Sequence, residues 1–191
     1  MTEKTTASVA SARTVSEGAR QHGILDVSSL VLLAVLLAAG TILNMTVGNA
    51  LATIGIKPQF IISAYAIAIL LTDARASQAA LFGLLSAAVI QLSTSIPGLN
   101  FATELAGSLA MYGVVRLMTR EGRRAAAAPL VAAFVATLVS GTLFAVLGTV
   151  VMGAAVATAL VKVPIVLGTA VFNAIVVQAL VVPLSKVLHR A

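Results

Sequence analysis

Cysteine is absent from the 191 residues, which excludes disulfides, thiol chemistry and cysteine-ligated metals. Histidine occurs only as His22 and His189, both outside the hydrophobic runs. A histidine metal site or proton relay within a membrane is excluded with them. Tryptophan is absent and the tyrosines are Tyr65 and Tyr112, so an aromatic belt at a bilayer interface is thin. Charge is scarce as well. Charged residues make up 9% of the chain, against about 25% in a soluble domain, too few to cover a surface that faces water. Catalytic signatures are also missing. There is no HExxH, no GxSxG, no phosphate-binding loop and no pair of carboxylates inside an apolar run. The expectation is a protein that is not an enzyme and holds no cofactor. Any ATP spent on its behalf is hydrolysed by a separate subunit.

What the chain does contain is apolar. Hydrophobic residues reach 60% and the mean hydropathy is +1.08, which points to an all-α integral membrane protein. Lipid offers no partner for a free backbone group, so the spans are helices. A barrel would alternate polarity, whereas these runs are apolar on every face. Six segments stand out, at about 28–45, 58–71, 77–92, 99–118, 125–152 and 160–188. At about 20 residues per span the chain length suits one six-transmembrane-helix bundle over 28–191. The second and third segments are short and could also form a re-entrant hairpin. Pro58, Pro97, Pro129 and Pro164 stand at or near segment starts, where proline's missing N–H costs little. Pro183, late in the sixth, is expected to kink or end it. Residues 1–27 are polar, carry both signs of charge and have no apolar core. They read as a flexible cytoplasmic tail rather than a cleaved signal peptide.

The basic residues orient the bundle. With the N-terminus inside, the cytoplasmic side holds Lys4, Arg13, Arg20, Arg75, Arg116, Arg120, Arg123, Arg124, Lys186 and Arg190, and the outside holds Lys57 and Lys162. The positive-inside rule favours this arrangement, with both termini cytoplasmic. It also accounts for the net charge of +6 without nucleic acid, since a basic rim suits anionic lipid head groups.

In that orientation the unusual polar side chains gather in the outer half. Asn44 and Asn49 lie at the end of the first helix and in its loop. Lys57 and Gln59 begin the second, and Gln91, Ser93, Thr94 and Ser95 end the third. Asn100, Thr103 and Glu104 begin the fourth, Lys162 begins the sixth, and Asn173 lies about three turns deeper. Polar groups in lipid are costly unless paired or wetted. A cluster at one end therefore implies an outward-facing pocket rather than a pore, which needs polar lining along its length. The expected substrate-binding residues are Asn44, Lys57, Gln59, Gln91, Asn100, Glu104, Lys162 and Asn173. Each has a structural alternative: a dipole-favoured helix-start acid for Glu104, snorkelling for the lysines, interhelical bonding for Asn173 and Gln91. Glu104 could also pair with Lys57 or Lys162. Phe60, Tyr65, Phe101 and Phe172 flank the cluster and suit the apolar wall of a small-molecule site. In the first helix Ala34 and Ala38 form an AxxxA pair, loosely extended by Gly40, that would let another helix approach closely.

The stretches IGIKPQFIISAYAIAILL (54–71) and QLSTSIPGLNFATELAG (91–107) resemble the substrate-binding S components of energy-coupling factor transporters. The likeness extends over most of 28–185 and is greatest to the putative tryptophan-transporter branch. That branch has a similar second-helix KPxF start, a PG-containing third loop and a sixth-helix pattern like Phe172-Asn173-Ala174. The resemblance implies a multi-pass protein of the bacterial plasma membrane. Such a protein captures a micronutrient outside: a vitamin, a vitamin precursor or an amino acid such as tryptophan. It would pair with a transmembrane coupling subunit and two ATPase subunits, with Ala34 and Ala38 as partner-binding residues. Gln59 stands where the branch often has an acid, which leaves Glu104 to meet a ligand ammonium. A membrane scaffold or regulatory subunit, and a solitary facilitator, are the alternative functions.

Overall fold

The computed structural model describes residues 26–53, 57–155 and 157–188. His22, His189, Lys4, Arg13, Arg20, Arg190 and nearly all of the expected tail lie outside them. The elements are α1 (Val27–Leu43), a π-helical turn (Asn44–Gly48), α2 (Asn49–Ala52), α3 (Phe60–Leu71), α4 (Ala76–Ile90), α5 (Leu99–Leu117), strands β1 (Thr119–Arg120) and β2 (Arg123–Arg124), α6 (Ala128–Val151), α7 (Ala157–Val161) and α8 (Val163–Leu188). Three helical stretches are long and apolar enough to cross a membrane: Val27–Ala52, Ala128–Val151 and Ala157–Val187. The protein is a helical membrane protein on that ground. α3 and α4 are apolar but shorter.

Local chemistry sets the helix ends. Asp26 precedes α1 and its Oδ2 accepts hydrogen bonds from the Ser28 and Ser29 hydroxyls, at 2.9 and 2.6 Å. At α4, Gln78 Oε1 reaches back to accept from the Arg75 backbone N–H at 3.0 Å, the reciprocal half of a capping box. Pro129 falls in the first turn of α6, and Gly98 begins α5 with φ +84°, a left-handed conformation open to glycine. Pro183 is accommodated inside α8. Between α5 and α6 the chain makes a two-residue hairpin, with Thr119 paired to Arg124 and Arg120 to Arg123. Its turn residues, Glu121 and Gly122, both have positive φ, as a type I′ turn requires.

The core is built around α3, in which every residue from Phe60 to Leu70 is buried. Twelve residues reach only about 18 Å, short of a bilayer's hydrocarbon thickness. Its apolar character on all sides is explained by neighbours, because α1, α4, α5, α6 and α8 all pack on it. Water-driven burial does not act between helices in lipid, so close packing by small residues carries the association. Gly83 of α4 lies so close to α5 that an added Cβ would strike the Ser108 hydroxyl and come within 2.7 Å of the Glu104 carbonyl oxygen. Gly107 of α5 does the same towards α3 and α6. A Cβ there would sit 2.7 Å from Tyr65 Oη and 3.0 Å from Ser140 Cβ.

Two expectations about the first helix need correction. Asn44 and Asn49 are not at a helix end, because the chain continues as a π turn and then α2 to Ala52. Gly40 also does not extend the alanine pair. It is buried with Leu33 and Leu37, and a Cβ there would meet the Phe60 carbonyl oxygen of α3 at 3.0 Å. Ala34 and Ala38 are exposed. At 100° per residue, position 40 is turned well away from 34 and 38.

Candidate functional site

The polar residues at the non-hairpin end are drawn together by the start of α3. The segment before a helix leaves its first N–H groups without intrahelical acceptors, and here two asparagines from other helices supply them. Asn44 Oδ1 accepts from the Phe60 N–H at 2.9 Å, and Asn173 Oδ1 from the Gln59 N–H at 3.3 Å. The Lys57 carbonyl accepts from the Thr169 hydroxyl of α8 at 2.8 Å. The same Asn173 donates through Nδ2 to Thr137 Oγ1 of α6 at 3.2 Å. Asn173 is thus a three-helix tie. Phe60 and Phe172 meet edge to face beside it, with centroids 5.6 Å apart.

One turn along α6 from Thr137, Ser140 donates to Glu104 Oε1 at 2.7 Å. Both residues are buried, and Glu104 is only 4% exposed. Glu104 lies about 7–8 Å along α5 from its first residue, on the same face as Asn100, Thr103 and Gly107. The Tyr65 hydroxyl of α3 lies beside its carboxyl. Among the described residues Glu104 Oε2 and Tyr65 Oη make no hydrogen bond of ordinary geometry, although the phenol and the carboxyl stand beside each other as donor and acceptor; Ser63 Oγ, elsewhere on α3, is buried and unpartnered. An unpaired carboxylate oxygen and phenol in a lipid-embedded core are expensive. The phenol can donate to the carboxylate beside it, and the carboxylate has room for a further donor.

Other sequence-predicted residues are held differently. Gln91 closes the α4–α5 loop, donating to the Ala87 carbonyl at 3.1 Å and accepting from the Gly98 N–H at 2.9 Å. Asn100 is buried and ties Thr94 at 2.7 Å. These two fasten the loop rather than face Asn173. Lys57 is exposed, and Lys162 is half-buried at the break between α7 and α8. Glu104 pairs with neither lysine. The ion pair formed among the described residues is Arg124–Asp73, at the hairpin end. Phe101 is exposed and does not join the aromatic wall.

Sequence reasoning missed Thr137, Ser140 and Thr169, and took Tyr65 for an apolar wall. The available signal was spacing. Thr137 and Ser140 sit three apart on one face of a largely apolar helix. It also overstated the asymmetry of the bundle. Gln178, towards the hairpin end of α8, accepts from the Leu130 N–H at 3.1 Å and donates to the Ala126 carbonyl at 3.2 Å, capping the start of α6. A cavity of about 600 Å³ also lies at that end, not among the outer polar residues, whose side chains and backbone are largely bonded to one another. Comparison with models of known families, with characterised proteins and with solved structures finds no match.

Proposed function

We propose that this chain is the solute-capturing subunit of a membrane uptake system, a six-span bundle with both ends cytoplasmic. The observation that carries the reading is the buried Glu104 carboxyl, whose Oε2 makes no hydrogen bond of ordinary geometry and has the Tyr65 hydroxyl beside it. The captured solute supplies a hydrogen-bond donor, an ammonium or an N–H, to the carboxylate, and its body lies against apolar neighbours. This agrees with the resemblance to energy-coupling factor S components and with a micronutrient as cargo. No nucleotide-binding motif occurs, so a coupling subunit and two ATPase subunits drive transport. The exposed Ala34 and Ala38 on α1 suit the docking of such a subunit.

The test is mass spectrometry of the small molecule that co-purifies with the protein, followed by thermal stabilisation with that compound in detergent. Glu104→Gln is expected to weaken binding while leaving the fold intact, because the amide oxygen still accepts from Ser140. Absence of any co-purifying molecule, together with no stabilisation by a panel of vitamins and amino acids, refutes the proposal. A scaffold role makes the same use of the α1 face. Replacing Ala34 and Ala38 by leucine separates the two, since the uptake reading expects binding retained and transport lost.

A further inference from the structure

The hairpin end carries a second site unrelated to solute capture. The cavity of about 600 Å³ is half-open and lined by the ends of α3, α5, α6 and α8 and by the hairpin. One wall is apolar, formed by Leu70, Val115, Pro129 and Val181, and the rest includes Tyr112, Arg116 and Arg124. The two cations are held in place. Arg116 stacks its guanidinium over the Tyr112 ring at 5.4 Å from the centroid, a cation–π contact that orients it. Arg124 donates from Nη1 to the Leu70 carbonyl at 3.0 Å and pairs through Nη2 with Asp73, while its Nε is buried without an acceptor. These contacts fix the orientation of the guanidinium, and two oriented guanidiniums on one cavity suit an anionic oxygen. Asp73, which also lines the cavity, offsets part of this charge through its pair with Nη2 and is itself largely exposed. Arg120 and Arg123 on the hairpin add positive potential nearby, against the two acids Asp73 and Glu121.

We propose that this cavity binds the phosphate diester of an anionic phospholipid, with the phosphate between the Arg116 and Arg124 guanidiniums and the lipid's apolar portion against Leu70, Val115 and Val181. The apolar wall decides between a lipid and a free phosphate ion, which would leave that wall in water. Basic pockets between membrane helices are suited to such head groups. The inference uses the proposed orientation only to say that the inner leaflet supplies the lipid. It does not depend on solute capture.

Delipidated protein in detergent is titrated with short-chain phosphatidylglycerol, with phosphatidylcholine and inorganic phosphate as parallel arms. Thermal stability and native mass spectrometry are the readouts. Phosphatidylglycerol is expected to raise the melting temperature and to remain bound in the gas phase. Arg116→Gln is expected to weaken the apparent affinity about tenfold, the loss of one charge-assisted hydrogen bond, with the lipid-free melting temperature unchanged. Glu104→Gln is expected to leave the lipid response unaltered, which separates failure here from failure of the uptake reading. An equal response to phosphatidylcholine overturns charge recognition, and an equal response to inorganic phosphate overturns the lipid as ligand. No response and no retained lipid in the unsubstituted protein overturn the site itself.

Discussion

Replacing Gly107 by alanine tests whether the contact of α5 with α6 and α3 sets the geometry of the buried polar site. The new methyl carbon would stand 2.7 Å from Tyr65 Oη, 3.0 Å from Ser140 Cβ and 3.2 Å from the Ala136 carbonyl oxygen. The first neighbour belongs to a fully buried tyrosine and the last is helix backbone, so neither is a flexible side-chain end that could swing away. The helices must separate or Tyr65 must move. Overpacking of this kind costs about 1–3 kcal/mol. Gly113 lies on the same helix, and a Cβ there meets nothing within 4 Å. Gly113→Ala therefore removes a helix-interior glycine with no steric penalty and gains about 0.5–1 kcal/mol. The two substitutions are chemically identical, six residues apart, and of opposite expected sign. Reversible unfolding in mixed micelles, read by far-ultraviolet circular dichroism, measures both. Gly107→Ala should also weaken binding of the co-purifying solute, because Tyr65 Oη and Ser140 are displaced from Glu104. Equal stability of the two variants would refute the packing described for α5.

Asn173→Leu removes the acceptor for the Gln59 N–H and a donor to Thr137, at similar side-chain volume. Interhelical polar contacts in membranes average about 0.6 kcal/mol with a ceiling near 1.7, and the orphaned backbone N–H places this one at the upper end, about 1–2 kcal/mol, in the same unfolding assay. Arg124→Gln breaks the bonds to the Leu70 carbonyl and Asp73, so the hairpin should lose amide protection in hydrogen exchange while α3 keeps its own. Asp26 responds to acid. The Ser29 and Ser28 hydroxyls hold its carboxyl below the usual carboxylate range, so the folded state binds its proton less readily than the unfolded state. Its contribution is present above the unfolded-state value and is lost as pH falls through the folded one. Exchange at the first turn of α1 should rise on acidification below about pH 4, and Asp26→Ala should abolish that dependence.

The helices were legible because a bilayer forces them. A run of apolar residues long enough to span has no other way to pair its backbone, and α4, α5 and α6 begin and end within about three residues of the hydrophobic boundaries. What hydropathy hides is which apolar helix is central. α3 and α1 are equally greasy, yet α3 is buried on every side and α1 on one stripe, Ser29, Leu33, Leu37 and Gly40. In water the polar face of a helix would report this difference, whereas in lipid both faces are apolar and the report is lost. The continuation of α1 through Asn44 to Ala52 was hidden for a related reason. Asparagine reads as a helix stop in a soluble protein, but here Asn44 turns its amide oxygen to the start of α3 and the π turn absorbs the change of pitch.

The site divides along the same physical line. Glu104 and Asn173 could be picked from sequence because a carboxylate or amide inside an apolar span must find a partner somewhere. Their partners could not be picked, because serine and threonine within helices also satisfy themselves on the preceding turn. Thr137 does so, donating to the Ala133 carbonyl at 2.8 Å while accepting from Asn173. Ser140 instead gives its proton to Glu104. The two hydroxyls share one face of α6 and differ only in what lies opposite. A hydroxyl that has left its own helix for a carboxylate, while Oε2 of that carboxylate makes no bond of ordinary geometry, distinguishes this stretch of α6 from the turn before it. The polar groups around the start of α3 are closed against one another and account for architecture. Glu104 and Tyr65 are less completely bonded, which is why the proposed solute is placed against them.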